Sequence, residues 1–339
     1  MPESTSKSPK LPLFVGVDVG GTSIKFGLVD DTGYTLVKQQ IPTEQEKGPE
    51  DAMRRSTAVM SELAESAGVT MDDVAGVGLA TPGTMDLDAG MLLHPHNLPE
   101  WWQFPIRDCL RETCGKPVLF ANDANAAAFG EFWIGSGSAF NSIALFTLGT
   151  GVGGGIIIGD TTLVGENSAG SELGHSIIDY KSTARMCGCG HRGHLEAYAS
   201  ARAVVARTEE ALQSGRASSL TRRLEENQKL TPLLIAREAE LGDELSLEVV
   251  MKTAKYLGIG AVNIMHTVDP GAVIFGGAMN FGGHSSELGR RFLDTIRTEA
   301  FSRAFPALVD KTHIDFAQLG GNAGYIGAAG LARLAHAKK

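Results

Sequence analysis

Two cysteines and two histidines lie within eight positions in the stretch CGCGHRGH, residues 187–194. Thiolate and imidazole groups are the usual ligands of Zn²⁺, which binds four of them tetrahedrally in structural sites. The alternative is a glycine-rich loop that is held by hydrogen bonds and carries two incidental thiols. The stretch therefore raises two questions: whether it binds a metal, and whether that metal takes part in a reaction.

Two glycine-rich segments repeat one plan of apolar strand, glycine turn, return strand and acidic turn. They are FVGVDVGGTSIKFGLVDD at 14–31 and IALFTLGTGVGGGIIIGD at 143–160, and Gly20 aligns with Gly149 without a gap. Such a hairpin can present backbone N–H groups to phosphate with no side chain in the way. Two ordinary β-hairpins are the alternative. A dinucleotide-binding Rossmann unit is disfavoured, because it requires a helix directly after the glycines. The repeat predicts two related domains.

A candidate catalytic carboxylate follows another strand-like run. In GKPVLFANDANAAAFGEFW the strand 118–121 is followed by Asn122, Asp123 and a helix. Ligands gather at the carboxyl ends of strands in α/β folds, although Asp123 can equally serve as a helix N-cap. A kinase acting on a hydroxyl needs phosphate positioning, Mg²⁺ and one base near the attacking oxygen. In that chemistry Asp123 would take the proton, and Asp18 at the first hairpin would orient Mg²⁺.

The second half of the chain carries clear helix and strand signals. Thr231-Pro232 predicts the start of a helix, and residues 244–268 predict one long buried helix. A strand then ends in Gly276-Gly277, and the C-terminus repeats the order strand, glycine turn, helix. A glycine pair after a strand lets a flat ligand such as adenine lie against bare backbone, and close packing explains the pair equally well.

Length and composition narrow the class of protein. A chain of 339 residues predicts two domains. A net charge of −9 argues against a protein whose main partner is nucleic acid. No apolar run reaches the ~18 residues of a membrane span, so no membrane partner is expected. Four cysteines fit a reducing, cytoplasmic compartment, with Cys109 and Cys114 expected as packing residues on a short helix. The polar residues 1–10 predict a disordered N-terminal segment.

Five motifs occur in order: DVGGT at 18–22, NDANAAAFGE at 122–131, LGTGVGGG at 148–155, ELGH at 172–175 and CGCGHRGHLE at 187–196. Together they closely resemble the ROK family of sugar kinases and repressors, over about residues 13–332. The resemblance implies an α/β fold of the actin-like, hexokinase-like (ribonuclease H-like) type, in which two domains flank a cleft. The small domain would comprise 11–121 plus the C-terminal helix 322–339. The large domain, 122–321, would carry the cysteine/histidine loop.

The residues and the resemblance together predict the site. Asp123 would be the general base. The resemblance implies that the sugar would be bound by Gly83, Asn97, Asn122, Asp123, Glu172, His175 and Glu196. ATP and Mg²⁺ would be held by Asp18, Gly20, Gly21, Thr22, Lys25, Gly149, Thr150, Gly151, Gly153, Gly276 and Gly277.

The resemblance also answers the opening questions. Similar proteins carry a C-x-C-G-x-x-G-C-x-E stretch whose three cysteines bind structural zinc together with the histidine of ELGH. Here Cys187 and Cys189 are in place, His194 occupies the position of the third cysteine, and His175 is the ELGH histidine. Four protein ligands leave zinc no open position, so the metal would support the chemistry without performing it. Fixing this loop would fix Glu196, and His175 could bind zinc with one nitrogen and a sugar hydroxyl with the other.

The expected activity is ATP-dependent phosphorylation of glucose at the 6-hydroxyl. A kinase for N-acetylglucosamine, N-acetylmannosamine, fructose or mannose is the alternative, since related kinases share most of these positions. A sugar-responsive repressor or a catalytically silent sensor is a second class. Repressors of the family carry a helix-turn-helix before DVGGT, whereas about a dozen residues precede the first strand here. Polyphosphate is an alternative phosphoryl donor, and a homo-oligomer, dimer or tetramer, is expected.

Overall fold

The computed structural model describes residues 10–95 and 97–338, so most of the expected disordered segment 1–10 lies outside the described residues. The strands are β1 (Leu13–Val19), β2 (Ser23–Val29), β3 (Thr35–Pro42), β4 (Val74–Thr81), β5 (Thr84–Asp86), β6 (Met91–His94), β7 (Val118–Asn122), β8 (Ser142–Leu148), β9 (Val152–Ile158), β10 (Thr161–Thr162), β11 (Ala272–Gly276) and β12 (His313–Phe316). The α-helices are α1 (Pro49–Ser66), α2 (Ile106–Cys114), α3 (Asp123–Ile134), α4 (Glu196–Ala199), α5 (Ala201–Gln213), α6 (Leu220–Glu225), α7 (Pro232–Glu240), α8 (Glu244–Val268), α9 (Glu287–Phe301), α10 (Pro306–Val309) and α11 (Ala323–Ala337).

Two five-stranded sheets share one topology. Their strand orders are β3-β2-β1-β4-β7 and β10-β9-β8-β11-β12. In each sheet an antiparallel hairpin, β1–β2 or β8–β9, is followed by parallel neighbours. The two glycine turns, 20–22 and 149–151, occupy equivalent places between the strands of these hairpins. The α/β fold class and the internal repeat that the glycine pattern predicts are therefore both present.

The chain divides into two compact units. The first comprises the described residues up to Ser138, Asp160–Ser171 and the described residues from Gly321 onward, and the second comprises Ala139–Gly159 and Glu172–Gly320. This division differs from the expected boundary at residue 121, because α3 belongs to the first unit. The reason is close packing of α3 on α11: a side chain at Gly327 would overlap the Ala126 backbone carbonyl. Two helix backbones approach this closely only where glycine leaves room.

Each unit has its own apolar core. In the first, Phe26 and Trp101 are fully buried. Cys109 and Cys114 on α2 pack against that core, which confirms their expected packing role. In the second, Phe146 and Phe275 stack with ring centroids 5.2 Å apart.

The helix signals of the second unit are confirmed. The long buried helix α8 spans Glu244–Val268, the bounds that the sequence predicts. The Thr231 hydroxyl caps α7 by accepting a hydrogen bond from Leu234 N at 3.1 Å. Among the described residues, none of the helices combines the length and apolar character that crossing a bilayer requires.

Candidate active site and metal-binding loop

The candidate base Asp123 begins α3 at the end of β7. The N-cap is Asn122, whose side-chain oxygen accepts hydrogen bonds from Ala124 N at 2.9 Å and Asn125 N at 3.3 Å. The capping role that was the alternative for Asp123 is therefore filled by Asn122, where the backbone is still extended. Asp123 instead lies in the first helical turn, where the helix dipole stabilises a carboxylate.

Asp18 and Asn122 lie at the carboxyl ends of two strands, at the same edge of the first sheet. Asp18 is paired with Ala80 on β4, and Ala80 is paired with Ala121 on β7. Neighbouring strands lie ~4.8 Å apart, so two strand spacings separate the Asp18 and Ala121 backbones by about 10 Å. The fold thus brings the hairpin carboxylate and the β7 end to one sheet edge, as ligand binding at strand ends requires.

Burial raises the pKa of Asp18, and the charge of nearby Lys25 partly opposes that rise. Lys25 is paired with Asp18 across the β1–β2 hairpin, and its Nζ donates a hydrogen bond to the Gly321 carbonyl at 3.1 Å. A side chain at Gly324 would overlap the Asp18 carboxylate, so the start of α11 approaches this acid closely. Burial disfavours the ionised form of a carboxylate, and a bound cation stabilises that form. Asp18 is therefore well placed to bind a cation.

The Gly83 and Asn97 loop segments lie beside the first hairpin. Gly83 has a φ of +95°, and a side chain there would overlap Pro95. Asn97 is exposed, and a Cβ added at Gly21 would lie 3.1 Å from the Asn97 Cβ. Within the first unit, the structure therefore places Asn97 against the DVGGT turn.

In the second unit, Glu196 connects the cysteine/histidine loop to the second glycine turn. Its Oε2 accepts a hydrogen bond from Val152 N at 2.9 Å, and its Oε1 lies 3.7 Å from Cys187 Sγ. Gly151 has no room for a side chain, because the Glu196 carboxylate occupies that space. Thr150, in the same turn, is exposed. No local sequence signal indicates the contact between Glu196 and Val152.

The four predicted metal ligands form one cluster. The ligand atoms of His175, Cys187, Cys189 and His194 all lie within 4.8 Å of one another. The two Nδ1 atoms are 3.3 Å apart, and the sulfurs lie 3.8 Å (Cys187 to His175) and 3.2 Å (Cys189 to His194) from the imidazoles. Tetrahedral zinc with Zn–N of ~2.05 Å and Zn–S of ~2.3 Å requires N···N of about 3.3 Å and N···S of about 3.5 Å. The donor set therefore fits zinc in both chemistry and spacing.

The electrostatics of this cluster couple metal binding to proton release. Burial raises the pKa of the Cys187 thiol to about 11. Burial, with the charges of His175 and His191, lowers the pKa of His194. Zinc binds thiolate and neutral imidazole. Binding would therefore release the proton of Cys187, whereas the lowered pKa of His194 favours the neutral imidazole that zinc requires.

The orientation of His175 leaves its second nitrogen available to another partner. Its Nδ1 faces the cluster, while its Nε2 lies 3.9 Å from Glu172 Oε2. Glu172 is half exposed. The two nitrogens of His175 thus face different groups, and its binding of both zinc and a sugar hydroxyl stays a prediction.

The loop also has anchors that sequence reasoning missed. The Tyr198 hydroxyl accepts a hydrogen bond from Arg185 N and donates one to Asp179 Oδ2, both at 2.8 Å. The Arg185 Nε donates to the Ala197 carbonyl at 3.1 Å. These contacts tie the chain before Cys187 to the helix that begins at Glu196.

Gly276 and Gly277 have a packing explanation in the structure. A Cβ at Gly276 would lie 3.0 Å from the Ala317 Cβ. Gly277 has a φ of +96°, and a side chain there would overlap the Leu148 backbone. Close packing is thus sufficient for both glycines, and their contact with adenine stays a prediction.

Comparison with known proteins identifies the family. The family model described as "ROK family" matches residues 14–335. A glucokinase from Halalkalibacterium halodurans is 33% identical over 320 residues, covering 94% of each chain. The crystal structure of a ROK hexokinase from Thermus thermophilus is similar with a TM-score of 0.78 and 32% identity, over 96% of this chain and 100% of that one. The crystal structure of a ROK glucokinase from Streptomyces griseus, solved with glucose and AMPPNP, is similar with a TM-score of 0.73 and 31% identity, over 95% of this chain and 99% of that one. These similarities confirm the predicted fold class, and the chain belongs to the ROK family.

Proposed function

We propose that this protein is an ATP-dependent kinase that phosphorylates glucose at the 6-hydroxyl. The observation that carries the proposal is the arrangement at one edge of the first sheet, where the Asp18 hairpin and the Asp123 helix start come together. A phosphate-binding turn and a base near each other are the two parts that phosphoryl transfer to a hydroxyl requires. The glucose and AMPPNP bound to the Streptomyces griseus relative support these substrates.

The phosphates of ATP would be bound by backbone N–H groups of the glycine turns. In the first unit these belong to residues 20–22, and in the second to residues 149–151. Neither turn places a large side chain in the way, and Thr22 and Thr150 are exposed. Mg²⁺ would be held through Asp18, directly or through water, and would neutralise charge on the transferred phosphoryl group.

Asp123 would accept the proton of the 6-hydroxyl as that oxygen attacks the γ-phosphorus. Asn122 holds the start of α3 in place through its capping hydrogen bonds, and the Asp123 Oδ1 atom accepts a hydrogen bond from Ala124 N at 2.8 Å. In the first unit, Gly83, Asn97 and Asn122 would contact the sugar. In the second unit, Glu172, His175 and Glu196 would accept or donate hydrogen bonds to its hydroxyls. Carboxylate and amide pairs of this kind distinguish hydroxyl positions well.

The cysteine/histidine loop would hold a structural zinc ion through His175, Cys187, Cys189 and His194. With four protein ligands the ion would supply rigidity only. Two proposed sugar ligands lie at this loop: His175 would bind the ion directly, and the Glu196 carboxylate lies 3.7 Å from the Cys187 sulfur. The loop would therefore set the geometry with which the second unit binds sugar.

The test is ADP release by the purified protein with ATP and magnesium, across glucose, mannose, fructose, N-acetylglucosamine and N-acetylmannosamine. We expect kcat/KM to be highest for glucose. A higher value for another hexose would keep the kinase and replace its substrate. Absence of turnover with all five sugars, with both ATP and polyphosphate as donors, would refute the proposed activity.

A further inference from the structure

A pocket in the second unit is lined by none of the residues assigned to sugar, ATP or zinc. It has a volume of about 420 Å³ and is formed by α5, α8 and the segment that precedes the cysteine/histidine loop. Small-molecule pockets typically have volumes of roughly 300–1,000 Å³. Its walls combine charged groups with the rings of Tyr198 and Tyr256. The pocket therefore has the size and the mixed lining of a ligand site.

The carboxylates of this pocket are already engaged by the protein. Each has a close partner: Glu210 with Arg185 at 2.6 and 2.8 Å, Glu248 with Arg216 at 2.8 Å, and Asp179 with the Tyr198 hydroxyl at 2.8 Å. An added anion would thus meet carboxylates whose charge is compensated or hydrogen-bonded. Repulsion from them is reduced accordingly.

Two cations of the same pocket, Arg207 and Lys252, have no carboxylate partner within 4.0 Å among the residues that the structure describes. Arg207 donates Nη1 hydrogen bonds to the Tyr198 carbonyl (2.8 Å) and Thr253 Oγ1 (3.0 Å), and an Nη2 hydrogen bond to the Val249 carbonyl (3.0 Å). Within the described part of the chain, its Nε–H and second Nη2–H find no acceptor. Burial lowers the pKa of Arg207, and the more distant charges of Glu210 and Glu248 only partly oppose that effect.

The side chains of Lys252 and Tyr256 lie one turn apart on α8 and therefore on the same helix face. The Arg207 guanidinium lies over the Tyr256 ring, 5.2 Å from its centroid. The Tyr256 hydroxyl makes no hydrogen bond to any residue in the described ranges. One wall of the pocket thus offers an ammonium group, two free guanidinium N–H groups and a phenol hydroxyl.

We propose that this pocket binds a small phosphate monoester through Arg207, Lys252 and Tyr256. Two cations without a contacting carboxylate match the charge of ~−2 on a phosphate monoester better than the single charge of a carboxylate. Free adjacent guanidinium N–H groups are suited to bidentate contact with phosphate oxygens. The tyrosine rings leave an apolar surface for the organic part of the ligand. This inference is independent of the proposed kinase activity.

The test is calorimetric titration of the full-length protein with glycerol 3-phosphate, and with pyruvate as the carboxylate-only probe. Lys252→Ala removes one exposed cation of the pocket. Lys255→Ala is the matched control, because Lys255 is also exposed on α8 but does not line the pocket. Arg207→Lys keeps the charge and removes the planar donor pair. Thermal unfolding of each variant checks its folding.

We expect saturable binding of glycerol 3-phosphate that is at least tenfold weaker in Lys252→Ala and Arg207→Lys and unchanged in Lys255→Ala. Pyruvate should bind at least tenfold more weakly than glycerol 3-phosphate. Equal affinity of wild type and Lys252→Ala would place the phosphate elsewhere and overturn the assignment. So would the absence of saturable binding to the wild type in the millimolar range, or equal affinity for pyruvate.

Discussion

The β1–β2 and β8–β9 hairpins have one topology but obtain their carboxylates differently. In the first hairpin the acid is on the strand itself, at Asp18, and Lys25 is paired with it on the return strand. In the alignment of the two repeats, Thr147 and Gly154 take these positions in the second hairpin. There the acid is Glu196, which approaches the turn from the start of α4, directly after the cysteine/histidine loop, and accepts a hydrogen bond from Val152 N.

If the proposed function is correct, this difference predicts different roles for the two repeats. A carboxylate fixed on a buried strand is suited to a cation and its phosphates, because the strand holds it rigidly. A carboxylate carried by a cysteine/histidine loop depends on how well that loop is held. We therefore expect damage to the first repeat to reduce catalysis, and damage to the loop of the second to weaken sugar binding.

The largest effect should come from Asp123→Asn, which removes the proposed base beside the first repeat. General-base catalysis contributes about 10²–10⁴-fold, so kcat should fall by that factor. The amide has nearly the same shape, and the sugar affinity measured by calorimetry should change by less than about tenfold. An unchanged kcat would remove Asp123 from the role of base.

Asp18→Asn should lower kcat/KM for Mg-ATP by about 10²-fold, since one charged group that stabilises a transition state contributes on this scale. The sugar affinity should be unaffected, in contrast to changes in the second repeat. Steady-state kinetics at varied ATP and varied magnesium distinguish the two effects. A loss confined to the KM for sugar would contradict the assignment of Asp18 to the metal and phosphates.

Glu196→Gln should raise the KM for glucose by about tenfold, with a smaller change in kcat. The amide oxygen can still accept the Val152 hydrogen bond, so the turn should be retained, while the charged hydrogen bond to sugar, worth about 1.5–3 kcal/mol, is lost. Glu172→Gln is the matched variant, because Glu172 contacts neither the turn nor Cys187 in any described interaction. A fall in kcat alone would contradict a sugar-binding role for Glu196.

The smallest effect on turnover should follow loss of zinc. His194→Ala should lower the zinc content measured by mass spectrometry, lower Tm by several degrees and raise the KM for glucose severalfold, with kcat largely retained. His191→Ala is the control, since His191 stacks near His194 but is outside the ligand cluster. His194→Cys, which restores the three-cysteine pattern, should keep the metal. Full zinc content in His194→Ala would refute the ligand set.

Local signals were sufficient to predict several helices and turns, whereas the residues of the cysteine/histidine cluster needed the family resemblance. The glycine turns, the helix at Glu244–Val268 and the cap at Thr231 follow from periodicity and residue type within a few positions. The four cluster residues follow from the resemblance to the ROK family motifs, and the structure brings their ligand atoms together.

Long-range contacts were not predictable in the same way. The hydrogen bond between Glu196 and Val152 and the anchoring of Arg185 by Tyr198 join segments whose proximity depends on the tertiary fold. The packing of α3 on α11, which moves α3 into the first unit, also depends on backbone approach between distant glycines and alanines. The sequence also did not show whether Asn122 or Asp123 caps α3. The choice depends on where the extended backbone ends, and residue type does not determine that position.

The central claim is transfer of the γ-phosphate of ATP to one hydroxyl of glucose, and the most direct test is NMR analysis of the product. The wild-type protein would be incubated with Mg-ATP and ¹³C-labelled glucose, and the phosphorylated carbon identified from its coupling to phosphorus. We predict phosphorus coupling at carbon 6 only, in amounts equal to the ADP formed. Phosphate on another carbon, or ADP formed without any sugar phosphate, would contradict the proposed reaction.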